Sequence, residues 1–383
     1  NSGGPRSVRS TGSGITLNAT DASGVFAQSG AVSIAWGNSS QGEGSKSVSL
    51  GVSITGNEIG TDADEDHSVK AYISNSIVSA ADDIAINATS TARMHALAIG
   101  GAFSKASGSV ATKNGQLAGA AAGAYAFNKL DQDVLAYVDK SHLTTTGGGD
   151  VTINAATTSE LTRADAFGIA AAYAASKGGT ASSGALAIGV AVAGNTTTQR
   201  TKAYAAGSTI DADGDIELGA ESATEIDALA VGIAGSLSRG SGTTGALAGA
   251  GSGVTNTIDN VIEAFITNST DDGSVSDIDA GGSLTVSALD RSTICADAAG
   301  VAISAALAKS NGSSYGVAVG VSVADNDINN EIRATIDNRS VPSSGTPSVS
   351  AGGDVSLSAT STAKVDALSI GGAVAVGTSS KGT

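Results

Sequence analysis

The chain has little of what a conventional globular core is built from. Only 3% of its 383 residues are aromatic, with one Trp and one Met. Thick interiors are filled by large side chains, so any interior here is thin and lined by small residues, as between closely stacked sheets. A single cysteine, Cys295, excludes an internal disulfide, and a small buried residue is the expectation for it. Prolines are three, Pro5, Pro342 and Pro347. A disordered Gly/Ser-rich linker would carry fewer β-branched residues. No uninterrupted apolar run is long enough for a membrane-spanning helix. The chain opens at Asn1 without an initiator Met or a signal peptide, which implies a processed or excised segment.

Positive charge is also scarce. Lys and Arg number 20 against 36 Asp and Glu, a net charge of −16. Such a surface repels nucleic acid and anionic lipid, which excludes both as default partners. The three histidines, His67, His95 and His142, lie in different parts of the chain with no metal-binding spacing. No GxSxG, P-loop lysine or CxxC occurs, and the glycine-rich stretches lack the helix that a phosphate cradle requires.

What is present is a repeat. An alternating strand, usually after a Gly-Asp step, reads GITLNAT, DIAINAT, DVTINAA, DIELGAE, SLTVSAL and DVSLSAT. These begin at 14, 83, 150, 215, 283 and 354, spacings of 69, 67, 65, 68 and 71 residues. An Ala/Gly strand follows each, as in ALAIGGAF and ALAVGIAG, then a Gly/Ser loop, then a second small-residue strand ending in Asn. That Asn recurs as Asn57, Asn128, Asn195, Asn256 and Asn326. Eight residues later come Ala136-Tyr137, Ala203-Tyr204, Ala264-Phe265 and Ala334-Thr335, whereas Asn57 precedes Ala71 by 14, the six extra residues lying in the acidic stretch IGTDADEDH. The chain therefore divides into one continuous array, 14–82, 83–149, 150–214, 215–282 and 283–353, with partial copies at 1–13 and 354–383.

The period-two alternation predicts strands, and the Gly, Val, Ile and Thr content disfavours helix. The first small-residue strand leads the second by about 20 residues, near one third of the repeat. That arithmetic predicts an all-β parallel β-helix, or β-solenoid, of roughly three coils per repeat, about 17 coils over roughly 80 Å. A long antiparallel β-hairpin per repeat, with the Gly/Ser loop at its tip, is the alternative. In a solenoid the recurrent Asn stacks as an amide ladder, or caps a turn within its own repeat. Bulky replacements of Gly189 or Gly232 are expected to disrupt stacking.

Candidate sites are few. Calcium needs six to eight oxygens, and two acidic runs offer carboxylates at alternate positions: Asp211, Asp213 and Asp215, and Asp62, Asp64 and Asp66 in the inserted stretch. Solvated acidic turns are the other reading, and no other cofactor is implied. Lys105, Lys177, Arg239, Lys309 and Lys381 form a basic edge along the Gly/Ser loops, suited to solvation or to lateral bundling of rods. Asp165, Asp227, Asp297 and Asp366 read as one carboxylate per repeat, about 14 Å apart on three coils. That is too far for paired carboxylate catalysis, and no enzyme is expected.

With its GD-V-x-I-x-A strand, its A-x-A-x-G-x-A strand and the turn Asn75-Ser76-Ile77-Val78-Ser79-Ala80, the chain resembles the repetitive stalks of giant exported bacterial adhesins, filamentous haemagglutinin-like and leukotoxin-family. The resemblance covers nearly the whole chain. It implies a surface-exposed or extracellular rod that builds a fibre or matrix and associates with itself, or an adhesin stalk with a surface receptor or glycan as partner. It implies no membrane insertion of this segment.

Overall fold

The computed structural model describes residues 6–40, 43–60, 67–108, 115–158, 161–177, 181–269, 274–309, 312–337 and 348–380. Among the described residues 81% are in strands and none is in a helix, and the strands form a parallel β-solenoid. One rung shows its plan. A four-residue strand, His142–Thr145, turns into a seven-residue strand, Val151–Thr157. A 15-residue strand, Thr162–Ser176, follows, and the chain then doubles back through a 24-residue strand, Ser183–Ala206. Equivalent strands stack into four parallel sheets, here called corner, base, front and back in that order. The first and last back strands are split, as Lys46–Ile59 with Ser68–Ser74 and as Ser314–Ile328 with Glu331–Asp337.

Every strand pairs with its counterpart one repeat away. Ile84 pairs with Ile15 and Val151, Ile216 with Val151 and Leu284, and Leu284 with Val355. Each repeat is therefore one coil, not three, and six rungs at 4.8 Å rise only about 24 Å. The two small-residue strands that suggested successive coils lie in the same rung and face each other across the interior. The chain does reverse at the Gly/Ser loop, as a hairpin would. Its backbone bonds nevertheless run along the stack, and only side chains meet between the front and back strands.

The cross-section has a thick end and a thin end. At the thick end the last third of the back strand, the corner strand and the base strand enclose a three-sided prism. It is filled by Ile84, Ile86, Val134, Val138, Leu143, Ile153, Ile210 and Leu218, all fully buried. Each such side chain contributes about 1.5–3 kcal/mol by leaving water. The sharp turn into the corner strand uses a left-handed residue, Asn75, Lys140 or Gly207, with φ of 48°, 47° and 54°. The serine that follows, Ser76, Ser141 or Ser208, donates to the carbonyl two residues back. Ser141 and Ser208 also accept from the amide of the preceding rung's serine.

At the thin end, the front and back sheets form a blade whose interior is mostly Ala, Gly and Ser, with the larger Ile226, Val254, Ile258 and Ile294 packed near the seam. The sheets come close enough that a Cβ on Gly189 would lie 2.1 Å from the Ile233 carbonyl oxygen, and one on Gly232 2.1 Å from that of Gly251. Glycine is required there because the opposing atoms are backbone and cannot move aside.

Candidate functional site

A polar seam separates prism from blade. Its first column is Asn57, Asn128, Asn195, Asn256 and Asn326, each side-chain amide donating to the next side-chain carbonyl at 2.8, 2.8, 2.9 and 2.8 Å. Asn128 and Asn195 also donate to the backbone carbonyls of Arg163 and Asp227, tying the back sheet to the front sheet. Buried amides left without partners would each cost about 1–3 kcal/mol, so the column specifies register as well as stability. A second column stands four residues on: Gln132, Gln199, Asn260 and Asn330. It bonds Ser90, Thr224 and Ser222 of the facing base sheet and the turn beyond it. Its mixed Gln and Asn identities hide the recurrence, and the constant offset from the first column is the signal that reveals it. In the first rung Asp21 occupies the seam and accepts from Ser23 and Gln132 and pairs with His67 at 3.1 Å. Burial alone would raise its carboxyl, but the bonds from Ser23, His67 and Gln132 outweigh this and hold its pKa below the ordinary value.

Outside the prism, the back sheet carries an aromatic ladder. Tyr72, Tyr137, Tyr204 and Phe265 stack nearly parallel, with ring centroids 4.9, 4.8 and 4.8 Å apart. Beside it run the ion pairs Asp133–Arg200 at 2.5 Å, Lys202–Glu263 at 2.7 Å and Glu263–Arg333 at 2.6 Å. Of these, Tyr137, Tyr204, Phe265, Asp133, Arg200 and Lys202 line an open groove of about 500 Å³. Burial, then the neighbouring phenol and Asp139, pushes the hydroxyls of Tyr137 and Tyr204 above the ordinary phenol value, so they stay protonated hydrogen-bond donors at neutral pH.

A third polar group lies on the outer face of the front sheet. Register stacks His95, Arg163, Asp227, Cys295 and Asp366 in one column, whereas Asp165 and Asp297 stand two residues further along with Leu229 between them. The four aspartates expected as one column thus occupy two, and the two aspartates of each column stand two rungs, about 9.6 Å, apart rather than 14 Å. Arg163 reaches Asp165 at 2.8 Å and Asp227 at 3.4 Å, and His95 reaches Asp165 at 3.2 Å. Cys295 is half-exposed rather than buried. Burial, then Asp227, Asp366 and Glu225, raises its thiol pKa, the reverse of an activated nucleophile. His95 stands three rungs from Cys295, so no nucleophile–base pair forms.

The remaining expected sites are dispersed. Asp215 accepts from the Ser283 amide and donates its own amide to the Asp150 carboxylate, and Asp213 accepts from the Gly148 amide. Asp211 sits outward on the corner sheet against Asp279. Among the described residues no group of three or more His, Cys, Asp or Glu side chains converges to hold a metal. Of the first acidic run, Asp213 and Asp215 thus engage backbone amides of neighbouring rungs, while Asp62, Asp64 and Asp66 lie outside the described residues. The basic edge is not one column. Lys105 is in register with Tyr173, and Arg239 with Ala175, while Lys177 and Lys309 follow Ser176 and Ala308 one position further out. Lys381 lies outside the described residues. Lys105 instead rests over the Trp36 ring, 4.3 Å from its centroid.

Fold and ladders together define a parallel β-solenoid in which one repeat makes one coil, its recurrent polar residues bonded from rung to rung. No family model, curated protein or solved structure matches the chain.

Proposed function

We propose that the chain is a non-enzymatic structural segment of a large bacterial surface protein, an element of an extracellular fibre or matrix that associates with copies of itself. The observation that carries this reading is where the recurrent polar residues go. The Asn column, the corner serines and the Asp83, Asp150 and Asp215 caps are spent on rung-to-rung bonds, and Arg163 of the front sheet is engaged by Asp165 and Asp227. The solenoid and the sequence resemblance to filamentous adhesins support the same assignment. Immunogold electron microscopy of the producing cells tests it: label on extracellular filaments is expected, and label confined to the cell interior would overturn it.

A second reading, the stalk of an adhesin that contacts a host or environmental surface, is favoured by the aromatic groove along Tyr137, Tyr204 and Phe265. Protonated phenols beside fixed ion pairs suit the hydroxyls of a glycan. A glycan array probed with the chain and with Tyr204→Ala separates the two readings, because only an adhesin loses signal on that change.

A further inference from the structure

The blade is inverted with respect to an ordinary sandwich. Its small residues face inward and its large ones face outward, and the outer surface of the back sheet follows a rule from rung to rung. The first rung presents Val48, Leu50, Val52 and Ile54, and the third and fifth present four aliphatic residues each, Leu186 to Val192 and Val317 to Val323. In register with them, the second rung presents Gly119, Ala121, Gly123 and Tyr125, and the fourth Leu247, Gly249, Gly251 and Gly253. Three of four positions in each even rung are therefore small, with Tyr125 and Leu247 at opposite ends of the patch. The result is three ridges and two troughs. Ridge methyls flank the troughs: Val52 Cγ2 would lie 3.8 Å from a Cβ on Gly123, and Val190 Cγ2 4.0 Å from one on Gly251. A Cβ on Gly249 would meet nothing within 4 Å. None of these 20 positions is charged in a chain of net charge −16. Ridge residues remain well exposed even in the interior rung, Ile188 at 42% and Val190 at 41%.

We propose that this face is a self-association surface, on which a second copy of the chain seats its ridges in these troughs. The inference deepens the structural reading above and rests on it. Ridges recur every second rung, about 9.6 Å apart. A copy turned about an axis parallel to the strands, lying between the third and fourth rungs, sets rungs two to five odd against even and leaves the first overhanging. The overlapping patch measures roughly 26 Å along the strands and 19 Å along the stack. Two copies would bury about 1,000 Å² of it in total, the lower bound for a specific interface. Interdigitation of this kind is the dry packing that joins paired sheets in cross-β assemblies. Beyond its charged columns, the outer face of the front sheet also carries apolar residues, but they lack the alternation. One of its columns reads Val32, Gly101, Ile169, Ile233, Val301 and Gly372, and it offers no such fit.

The test is sedimentation velocity of the full chain from about 1 to 100 µM, at low and high salt. The expected result is a reversible dimer strengthened by salt, since the face is uncharged and the rest of the surface repels. The decisive variant is Gly249→Leu with Gly251→Val. It enlarges the apolar surface while filling a trough where a Cβ fits, so the melting temperature should hold. A loss of at least about tenfold in dimer affinity is expected from the misfit. Unaltered or tighter association of this variant would overturn the inference, because general stickiness would then explain it. So would a wild-type chain that stays monomeric throughout, or a dimer that dissociates with salt, which would point to ionic contacts such as the basic edge. If the double variant unfolds, Gly119→Val, 3.7 Å from the nearest Val48 methyl, carries the same test. A monomer in sedimentation whose parent still labels on extracellular filaments would defeat this interface and leave the structural reading standing.

Discussion

The prism and the blade share every rung, yet they close their interiors in opposite ways. In the prism three strands leave a wide space, and branched aliphatic side chains such as Ile86, Ile153 and Leu218 fill it. In the blade two strands approach until backbone meets backbone, and away from the seam the interior has no room for the branched residues that fill the prism. The large residues of the blade are consequently outside, as Leu186, Ile188 and Val190. The same 24-residue strand, Ser183–Ala206, passes through both regimes, and the change falls at Asn195 and Gln199. A solenoid can thus be stabilised either by the volume it encloses or by the closeness of its walls. The two ends should fail under opposite mutations: the blade when a residue grows, the prism when one shrinks.

The largest effect is expected for growth in the blade. Gly189→Leu would drive a Cβ to 2.1 Å from a backbone oxygen of the facing sheet. The strain would pass to both neighbouring rungs, so the variant should lose more than about 4 kcal/mol or fail to fold cooperatively. Urea denaturation followed by circular dichroism checks this, and a melt within a few degrees of wild type would contradict the backbone-contact picture. Shrinkage in the prism ranks second. Ile153→Ala removes a fully buried side chain from between stacked Ile86 and Leu218 and should cost about 2–4 kcal/mol through lost burial and a residual cavity. The control is Ala187→Gly in the blade, which removes less volume and should cost about 1 kcal/mol.

How far the sequence speaks follows from the same contrast. Stacking requires equivalent residues at equivalent positions, so the repeat, the strands and the five asparagines were all legible. The number of coils per repeat was not. Facing strands in a thin blade need small residues just as stacked strands do, and the lead of about 20 residues from the first small-residue strand of a repeat to the second cannot distinguish the two. The aspartates illustrate a finer failure. Asp165 and Asp227 sit in similar Ala-Asp or Asp-Ala contexts, but Ala164 pairs with Ala228, which slips the aspartates by two residues into different columns. The outward ridges and troughs were invisible for another reason. Alternation between rungs is a pattern across residues some 65 apart, and it emerges only once register is known.

The seam provides the third effect, because it bonds the two regimes together. Asn195 accepts from Asn128 and donates to Asn256 and to the Asp227 carbonyl. Asn195→Leu would strand a buried donor and a buried acceptor in adjacent rungs, at a cost of about 1–3 kcal/mol. The same change at Asn326, bonded to a lower rung by one amide contact and more exposed, should cost less. Hydrogen exchange would show whether the loss stays local: amides of the adjoining rungs in prism and blade should open together, because the seam is where both are fixed.

The smallest effect is electrostatic and has opposite signs at the seam and on the blade. Asp21, held below its ordinary pKa of 3.8, binds fewer protons folded than unfolded. Its stabilisation is complete above that value and is lost as pH falls through the lower folded pKa. Asp227 is raised above 3.8, by burial first and by Asp165 and Asp297 beyond what Arg163 offsets. It binds more protons folded, so stability falls as pH rises through its folded pKa. Asp21→Asn should therefore lower the melting temperature at neutral pH and flatten the acid limb. Asp227→Asn should raise it slightly at neutral pH and change nothing well below pH 3.8. Both shifts should be about a degree, readable only as a pair of melting curves against pH. Two curves moving in the same direction would show that the outer face of the blade screens its carboxylates no differently from the seam.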